Sequence, residues 1–116
     1  MKMSVVVPVY FDEEVIGELY QRLTIVLEKY FANYEIIFID DGSEDYSWQK
    51  ISKIHYTDSR VMGVRLIRNF GQLNSISAGL DLSTGDYIVV MDSDLQDPPE
   101  LIEEMITHWE SGYDVT

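Results

Sequence analysis

The sequence predicts an α/β fold with a mostly parallel sheet and helices on both faces. Short apolar runs of strand length alternate four times with amphipathic segments of helix length. Several of these runs are continuously apolar, which is typical of parallel strands buried on both faces beneath helical crossovers. Acidic residues directly follow the second and the fourth run. Because ligands bind outside the carboxyl ends of such strands, this edge of the sheet is the expected site.

The first two units each pair a buried strand with an amphipathic helix. Residues 4–9 and 34–39 are apolar, largely β-branched runs of strand length. Apolar residues recur at steps of three and four over 15–30, which predicts a helix with one buried face. Asp12 and Ser43 precede the two helices and are suited to cap them. In the second helix, the residues expected to face the core are Trp48, Ile51 and Ile54.

The third and fourth units repeat the alternation. Residues 61–67 predict a less buried strand, because Gly63 and Arg65 interrupt it. A helix over 72–82 carries apolar residues at helical steps and small residues that permit close packing, and a strand over 87–91 follows it. The apolar residues of that helix are Leu73, Ile76 and Leu80, and the small ones are Ser75, Ser77, Ala78 and Gly79.

The end of the chain predicts one more helix and the beginning of a fifth strand. An apolar stripe runs through 101–109, and Gly112 stands where a helix end favours glycine. Residues 113–115 have the composition of a strand that has just begun. We therefore expect residues 1–116 to form a single domain with a truncated sheet, whose unpaired edge favours homo-oligomers.

Composition narrows the class of function. The chain has 21 acidic and 8 basic residues and a net charge of -13, which argues against binding nucleic acid. An anionic ligand would therefore need a cation or local arginines. The absence of cysteine excludes disulfides, zinc–thiolate sites and thiol nucleophiles. No run approaches the ~20 apolar residues of a membrane span, and no signal-peptide pattern is present, so we expect a cytoplasmic protein.

The most informative stretch is 85–100, a buried strand followed by Asp92, Asp94 and Gln96. Two carboxylates at a spacing of two repel each other, and a divalent cation would relieve that repulsion. Carboxylate and amide oxygens suit Mg²⁺ or Mn²⁺, and substrate phosphates often complete the coordination of Mg²⁺. A solvated turn in which an aspartate caps the next helix is an equally open interpretation.

Four stretches together resemble the N-terminal half of a family-2 glycosyltransferase with the Rossmann-like GT-A fold of nucleotide-diphospho-sugar transferases. The resemblance is greatest to polyprenol-phosphate glycosyltransferases of the dolichol-phosphate-mannose synthase type. It departs at Phe11 and Asp12, where that branch usually has Asn then Glu, and at Gln72, where His is common. The matching stretches are Val7-Pro-Val-Tyr10, Ile39-Asp-Asp-Gly-Ser43, Arg68-Asn-Phe-Gly71 with Ala78-Gly-Leu80, and Asp92-Ser-Asp-Leu-Gln-Asp-Pro-Pro-Glu100.

The resemblance implies roles for individual residues. Pro8 and Tyr10 would line the base and ribose pocket, which Asp40 and Asp41 would close, and Arg68 would face the sugar or phosphate. The full nucleotide-sugar set is Pro8, Tyr10, Asp12, Asp40, Asp41, Arg68, Asp92 and Ser93, and the metal set is Asp92, Asp94 and Gln96. Without the resemblance, a strand-end aromatic, a turn with a helix cap and a surface ion pair explain these residues as well.

The implied reaction is an inverting transfer from a UDP- or GDP-sugar to a polyprenyl phosphate in cell-envelope polysaccharide synthesis. The acceptor residues and any base are expected beyond Thr116, so the fragment is expected to be inactive. The full-length protein is expected at the cytoplasmic face of the membrane. The alternatives are a soluble-acceptor transferase of capsule or O-antigen synthesis, a nucleotidyltransferase, a phosphoacceptor receiver domain, and a non-catalytic nucleotide-binding or interaction module.

Overall fold

A computed structural model describes residues 2–93, 99–100 and 102–104, in which strands and helices alternate as predicted. Strand β3 ends two residues earlier than the sequence suggests. Residues 102–104 are helical; the rest of the predicted last helix and the predicted fifth strand lie outside the described residues. The elements are β1 (Lys2–Val9), α1 (Ile16–Tyr30), β2 (Asn33–Asp40), α2 (Ser47–Thr57), β3 (Val61–Arg65), α3 (Gln72–Leu82) and β4 (Tyr87–Val90).

The strands form a parallel sheet in the order β3-β2-β1-β4. Val9 at the end of β1 pairs with Asp40 at the end of β2, and Asp40 pairs in turn with Arg65 at the end of β3. On the other side of β1, Val6 pairs with Val90. The carboxyl ends of the strands therefore lie along one edge, which is the arrangement that the sequence predicts.

Helices cover both faces of the sheet. On one face, α1 and α2 pack against alternate residues of β1 and β2 and enclose the main core. Ile51 of α2 is fully buried, and Trp48 and Ile54 are partly buried against the same core, as expected. The other face carries α3, which lies over β1 and β2. The main core includes Met3, Val5, Val7, Leu19, Leu23, Leu27, Ile36 and Phe38.

Helix α3 packs on the sheet through its small residues. Its buried residues are Ser75 and Gly79, and a Cβ placed on Gly79 would lie 2.3 Å from Cγ1 of Val6. Leu73 and Leu80 are 83% and 42% exposed. The predicted close packing is therefore confirmed, but the apolar residues at helical steps do not form the buried face, because the backbone of α3 approaches the sheet too closely for large side chains.

The expected cap of α1 by Asp12 is wrong. The residue before this helix, Val15, makes no side-chain cap, and the helix begins only at Ile16. The Asp12 carboxylate instead accepts a hydrogen bond from the Tyr10 N–H, at 3.0 Å, and another from the Ser93 hydroxyl. Asp12 thus connects the loop after β1 to the end of β4, a partner that is distant in sequence.

The expected cap of α2 by Ser43 is also wrong. This helix begins four residues later, at Ser47, whose N–H donates to Oδ1 of Asp45 at 3.0 Å. The Ser43 hydroxyl accepts from the N–H of Phe11 at 2.9 Å. Like Asp12, Ser43 supports the loop after β1 and not the adjacent helix.

Glu35 is the centre of a polar cluster at the opposite edge of the sheet. Its Oε2 accepts from the Ser4 hydroxyl at 2.6 Å and from the Thr84 N–H at 2.8 Å, and Lys2 Nζ lies 3.7 Å from Oε1. Burial raises the pKa of this carboxyl, but these hydrogen bonds and the lysine charge outweigh burial and lower the pKa below its usual value. The cluster fixes the turn that leads into β4.

Replacing Glu35 with Gln is expected to lower the free energy of unfolding by about 1–2 kcal/mol near neutral pH. A folded-state pKa below the unfolded value stabilises the fold above about pH 4.5, and that contribution is lost as the pH falls through the folded pKa. Urea titrations should therefore show the difference between Glu35→Gln and the parent chain shrinking in acid. An equal difference at neutral and acidic pH would contradict this role.

Within the part of the chain that the structure describes, no helix combines the length and the apolar character needed to span a bilayer.

Candidate functional site

A cleft of about 460 Å³ opens at the carboxyl edge of the sheet. Tyr10 follows β1, Asp41 follows β2 and Asp92 follows β4, and the fold brings all three to this one cleft. Their convergence is what the positions of the strand ends predict. The lining residues are Pro8, Val9, Tyr10, Asp12, Asp41, Asn69, Gly71, Gln72, Ser75, Asp92 and Ser93.

The loop after β1 forms one wall, and side chains from other segments hold its backbone. The N–H of Phe11 donates to Ser43, and the N–H of Asp12 donates to the Ser47 hydroxyl at 3.0 Å. Phe11 adopts a left-handed conformation, with φ of 55°, which Asn tolerates better than a bulky residue does. This backbone angle gives a physical reason for the usual Asn at the position where the sequence departs from the polyprenol-phosphate branch.

Asp41 holds the opposite wall together. Its Oδ1 accepts from the N–H of Phe70 at 2.8 Å, and its Oδ2 accepts from the N–H of Gly71 at 3.0 Å and from the Asn69 amide at 3.1 Å. The side chain is 3% exposed. In this structure the Asp41 carboxylate therefore organises the loop that leads into α3, although it also lines the cleft.

Gly42 allows the turn after β2 to pass directly beside that loop. Its φ is +74°, and a Cβ at this position would lie 2.5 Å from the carbonyl carbon of Arg68 and 2.7 Å from the nitrogen of Asn69. Both neighbours are backbone atoms, so no side-chain rotation relieves the contact. The two loops that build this wall are therefore interlocked through a glycine.

Two predicted site residues lie away from the cleft lining. Asp40 is fully buried; its Oδ1 accepts from the Ser43 N–H at 3.0 Å, and Arg65 Nε lies 3.9 Å from its Oδ2. Among the described residues, Asp40 Oδ2 has no hydrogen-bond partner. Arg68 is exposed and places its guanidinium 4.7 Å from the centre of the Phe70 ring.

The residues after β4 are held from two sides. Gln72, the first residue of α3, donates from Nε2 to Oδ1 of Asp92 at 2.7 Å. The next residue, Ser93, is buried and donates to Asp12. The two other predicted metal ligands, Asp94 and Gln96, lie outside the described residues.

The chain that follows the acidic stretch is fastened to α1. Arg22 makes a two-point ion pair with Glu100, and Lys29 Nζ lies 2.7 Å from Oε1 of Glu103. Between these contacts, Ile102 is fully buried in the main core. The acidic stretch is thus anchored at both of its ends.

The charges of the cleft suit a cation. Asp12, Asp41 and Asp92 contribute carboxylates, and no lysine or arginine is among the described residues that line it. No group of three His, Cys, Asp or Glu side chains suited to a metal occurs among the described residues. Asp92, at the mouth of the cleft, nevertheless offers the hard oxygen ligands that Mg²⁺ and Mn²⁺ prefer.

Sequence reasoning did not assign the lining residues Asn69, Gly71, Gln72 and Ser75. The first two fall in a stretch that matches the resemblance, but a role was given only to Arg68. The signal that identifies them is the start of α3. A helix that begins at the carboxyl edge of a parallel sheet directs its first turn at the ligand crevice.

The sequence pattern of glycosyl transferase family 2 matches residues 4–116. The chain belongs to this family. The predicted resemblance is thereby confirmed, and the transferase class with it. Among curated relatives, the uncharacterized glycosyltransferase YkcC of Bacillus subtilis is 49% identical over 115 residues, which cover 99% of this chain and 36% of YkcC.

A second relative is named for its acceptor. The undecaprenyl-phosphate 4-deoxy-4-formamido-L-arabinose transferase of an Enterobacter species is 44% identical over 115 residues, or 98% of this chain and 35% of that protein. By its name it is a polyprenol-phosphate glycosyltransferase, the branch that the sequence resembles. The chain spans about a third of the length of these curated relatives.

A solved structure confirms the GT-A fold. The mannosyltransferase PcManGT of Pyrobaculum calidifontis, in complex with GDP-Man and Mn²⁺, superposes with a TM-score of 0.76 at 20% identity. The match covers 90% of this chain and 31% of PcManGT. At this identity the comparison establishes the architecture of the sheet and helices alone.

Proposed function

We propose that residues 1–116 form the donor-binding half of a glycosyltransferase that transfers a sugar from a UDP- or GDP-sugar to a polyprenyl phosphate. The observation that carries this proposal is the single cleft onto which Tyr10, Asp41 and Asp92 converge. The relative named as an undecaprenyl-phosphate transferase supports the acceptor class. PcManGT, which was solved with GDP-Man, supports a nucleotide-sugar donor.

In this proposal the nucleotide base lies between the loop after β1 and the loop that Asp41 organises. Pro8 is buried below this space, and Tyr10 is 48% exposed beside it, so its ring is available to stack on a base. Asp41 accepts from the base or ribose. Asp12 and Ser93 complete the donor side, with the Asp12 carboxylate fixing the Ser93 hydroxyl.

Asp92, with Asp94 and Gln96, would hold a divalent cation at the diphosphate. The cation would act as a Lewis acid that neutralises negative charge growing on the leaving nucleoside diphosphate. Such a partner is needed electrostatically, because the chain carries a net charge of -13 and none of the described lining residues is basic. The Mn²⁺ in the PcManGT complex supports the same choice of ion.

The acceptor phosphate is already anionic and can attack the anomeric carbon without losing a proton, so no general base is assigned here. Attack from the face opposite the leaving diphosphate inverts that carbon. We assign acceptor recognition to regions that the longer relatives possess in addition, and expect the 116 residues alone to bind donor without turnover. In the whole protein the acceptor lipid places the reaction at the cytoplasmic face of the membrane.

Calorimetric titration of UDP and of GDP, each with and without Mn²⁺, tests this proposal. One of the nucleotides should bind, and only in the presence of Mn²⁺. Asp92→Asn should weaken that metal-dependent binding by roughly tenfold or more, since one charged ligand is lost. No binding of either nucleotide in the presence of Mn²⁺ would overturn the proposal.

Asp81→Asn is the matched control for this experiment. Asp81 lies on α3 like the cleft residue Gln72, but it is exposed near the end of the helix. The variant makes the same change in net charge and should bind Mn²⁺ and nucleotide as the parent chain does. An equal loss in both variants would indicate a general charge effect and would remove Asp92 from the site.

A further inference from the structure

The side chain of Gln72 contacts Asp92, and no role in the proposed reaction has yet been given to it. Its Nε2 lies 2.7 Å from Oδ1 of Asp92. An ionised carboxylate only accepts hydrogen bonds, so the amide nitrogen must face it and the amide oxygen must point elsewhere. The contact is therefore directional, and it fixes one of the two oxygens of Asp92.

The position of Gln72 is itself determined by the cleft wall. Gly71, the residue before it, has φ of 98° and donates its N–H to Asp41. Gln72 thus begins α3 from a backbone that Asp41 holds in place. On the other side of Asp92, the Ser93 hydroxyl is bound to Asp12. Asp92 is consequently oriented through its own carboxylate and through its neighbour.

The chemistry of the amide is suited to orienting a metal ligand. A lysine or arginine in this place would neutralise Asp92 and compete with a cation, whereas a neutral amide leaves the full negative charge on the carboxylate. Groups that hydrogen-bond a metal ligand from outside typically contribute 10–100-fold to metal affinity. Gln72 has this relation to Asp92.

We propose that Gln72 is a positioning residue, which holds the carboxylate of Asp92 in the orientation that receives a divalent cation bound together with the nucleotide. This inference rests on the proposed function. Gln72 does not touch the reacting atoms; it acts through Asp92. Its removal should therefore weaken the cation and leave the fold unchanged.

Mn²⁺ titrations in the presence of the nucleotide that binds the parent chain test the inference. Gln72→Ala removes the side chain, and Gln72→Met keeps its length but removes the donor. Both should weaken Mn²⁺ by roughly tenfold or more without changing the melting temperature measured in the absence of metal. Gln49→Ala, at an exposed position on α2, should bind as the parent chain does.

The outcomes separate the two proposals. If the parent chain binds Mn²⁺ with nucleotide and Gln72→Met binds it within about twofold, Gln72 has no positioning role while the proposed function stands. If the parent chain shows no such binding, the proposed function fails and this inference fails with it. A readout without metal is the NMR signal of the Gln72 side-chain amide, which should shift in Asp92→Ala; an unmoved signal would refute the contact.

Discussion

Gly42→Ala is expected to destabilise the chain by roughly 2–5 kcal/mol, because it combines a left-handed backbone with a steric overlap. The new Cβ would lie 2.5 Å from the carbonyl carbon of Arg68, and φ at this position is +74°. The neighbouring atoms belong to the backbone of the loop that Asp41 holds, so that loop must move. Urea denaturation measures the loss of stability, and nucleotide titration should show that binding is lost as well.

Gly71→Ala separates the two contributions. Gly71 also has a positive φ, of 98°, but a Cβ there would meet nothing within 4 Å. This variant therefore carries the backbone strain without the overlap, and it should destabilise the chain by about 1–3 kcal/mol. Equal losses in the two variants would show that the interlocking of the two loops contributes nothing to stability.

Alanine at two helix-interior glycines should act in opposite directions. Gly17→Ala in α1 is expected to stabilise the chain by about 0.5–1 kcal/mol, since alanine favours helix and nothing lies within 4 Å of its Cβ. Gly79→Ala in α3 gains the same propensity but places a Cβ 2.3 Å from Val6 Cγ1 and 3.3 Å from Ile39 Cγ1. The two variants should differ in unfolding free energy by about 3 kcal/mol.

A double-mutant cycle checks the cause. Val6 is fully buried in the centre of the sheet, and Val6→Ala removes the methyl group that the new Cβ would overlap. The combination of Val6→Ala with Gly79→Ala should therefore cost less than the sum of the two single changes. Additive costs would mean that α3 accommodates the alanine by another route.

The elements that depend on local patterns were predictable from the sequence. The bounds of α3 agree with the expected 72–82, and β1 and β2 match their apolar runs with extensions of one or two residues. Apolar periodicity and strand runs are set by neighbouring residues, so a single sequence contains them. The orientation of α3 was not predictable in this way, because it depends on how closely Gly79 lies to Val6 of a strand far away in the sequence.

The site was predictable as a location but not in its hydrogen bonds. Parallel strands place Tyr10 and Asp92 at one edge whatever the details of the loops. The expected caps at Asp12 and Ser43 failed because their oxygens bind Ser93 and Phe11, which are 81 and 32 residues away from them. Local preference describes which groups such a side chain can reach nearby, whereas the folded chain supplies a competitor from elsewhere.

The three donors gathered by Asp41 affect how mutagenesis of this wall is to be interpreted. Asp41→Asn keeps the volume of the side chain but turns an NH₂ group toward N–H groups that need an acceptor. The resulting repulsion reshapes the entrance to α3 even when no ligand is present. A drop in nucleotide affinity in that variant would thus measure a change in architecture together with any lost contact, and comparison of its ligand-free NMR spectrum with that of the parent chain would apportion the two.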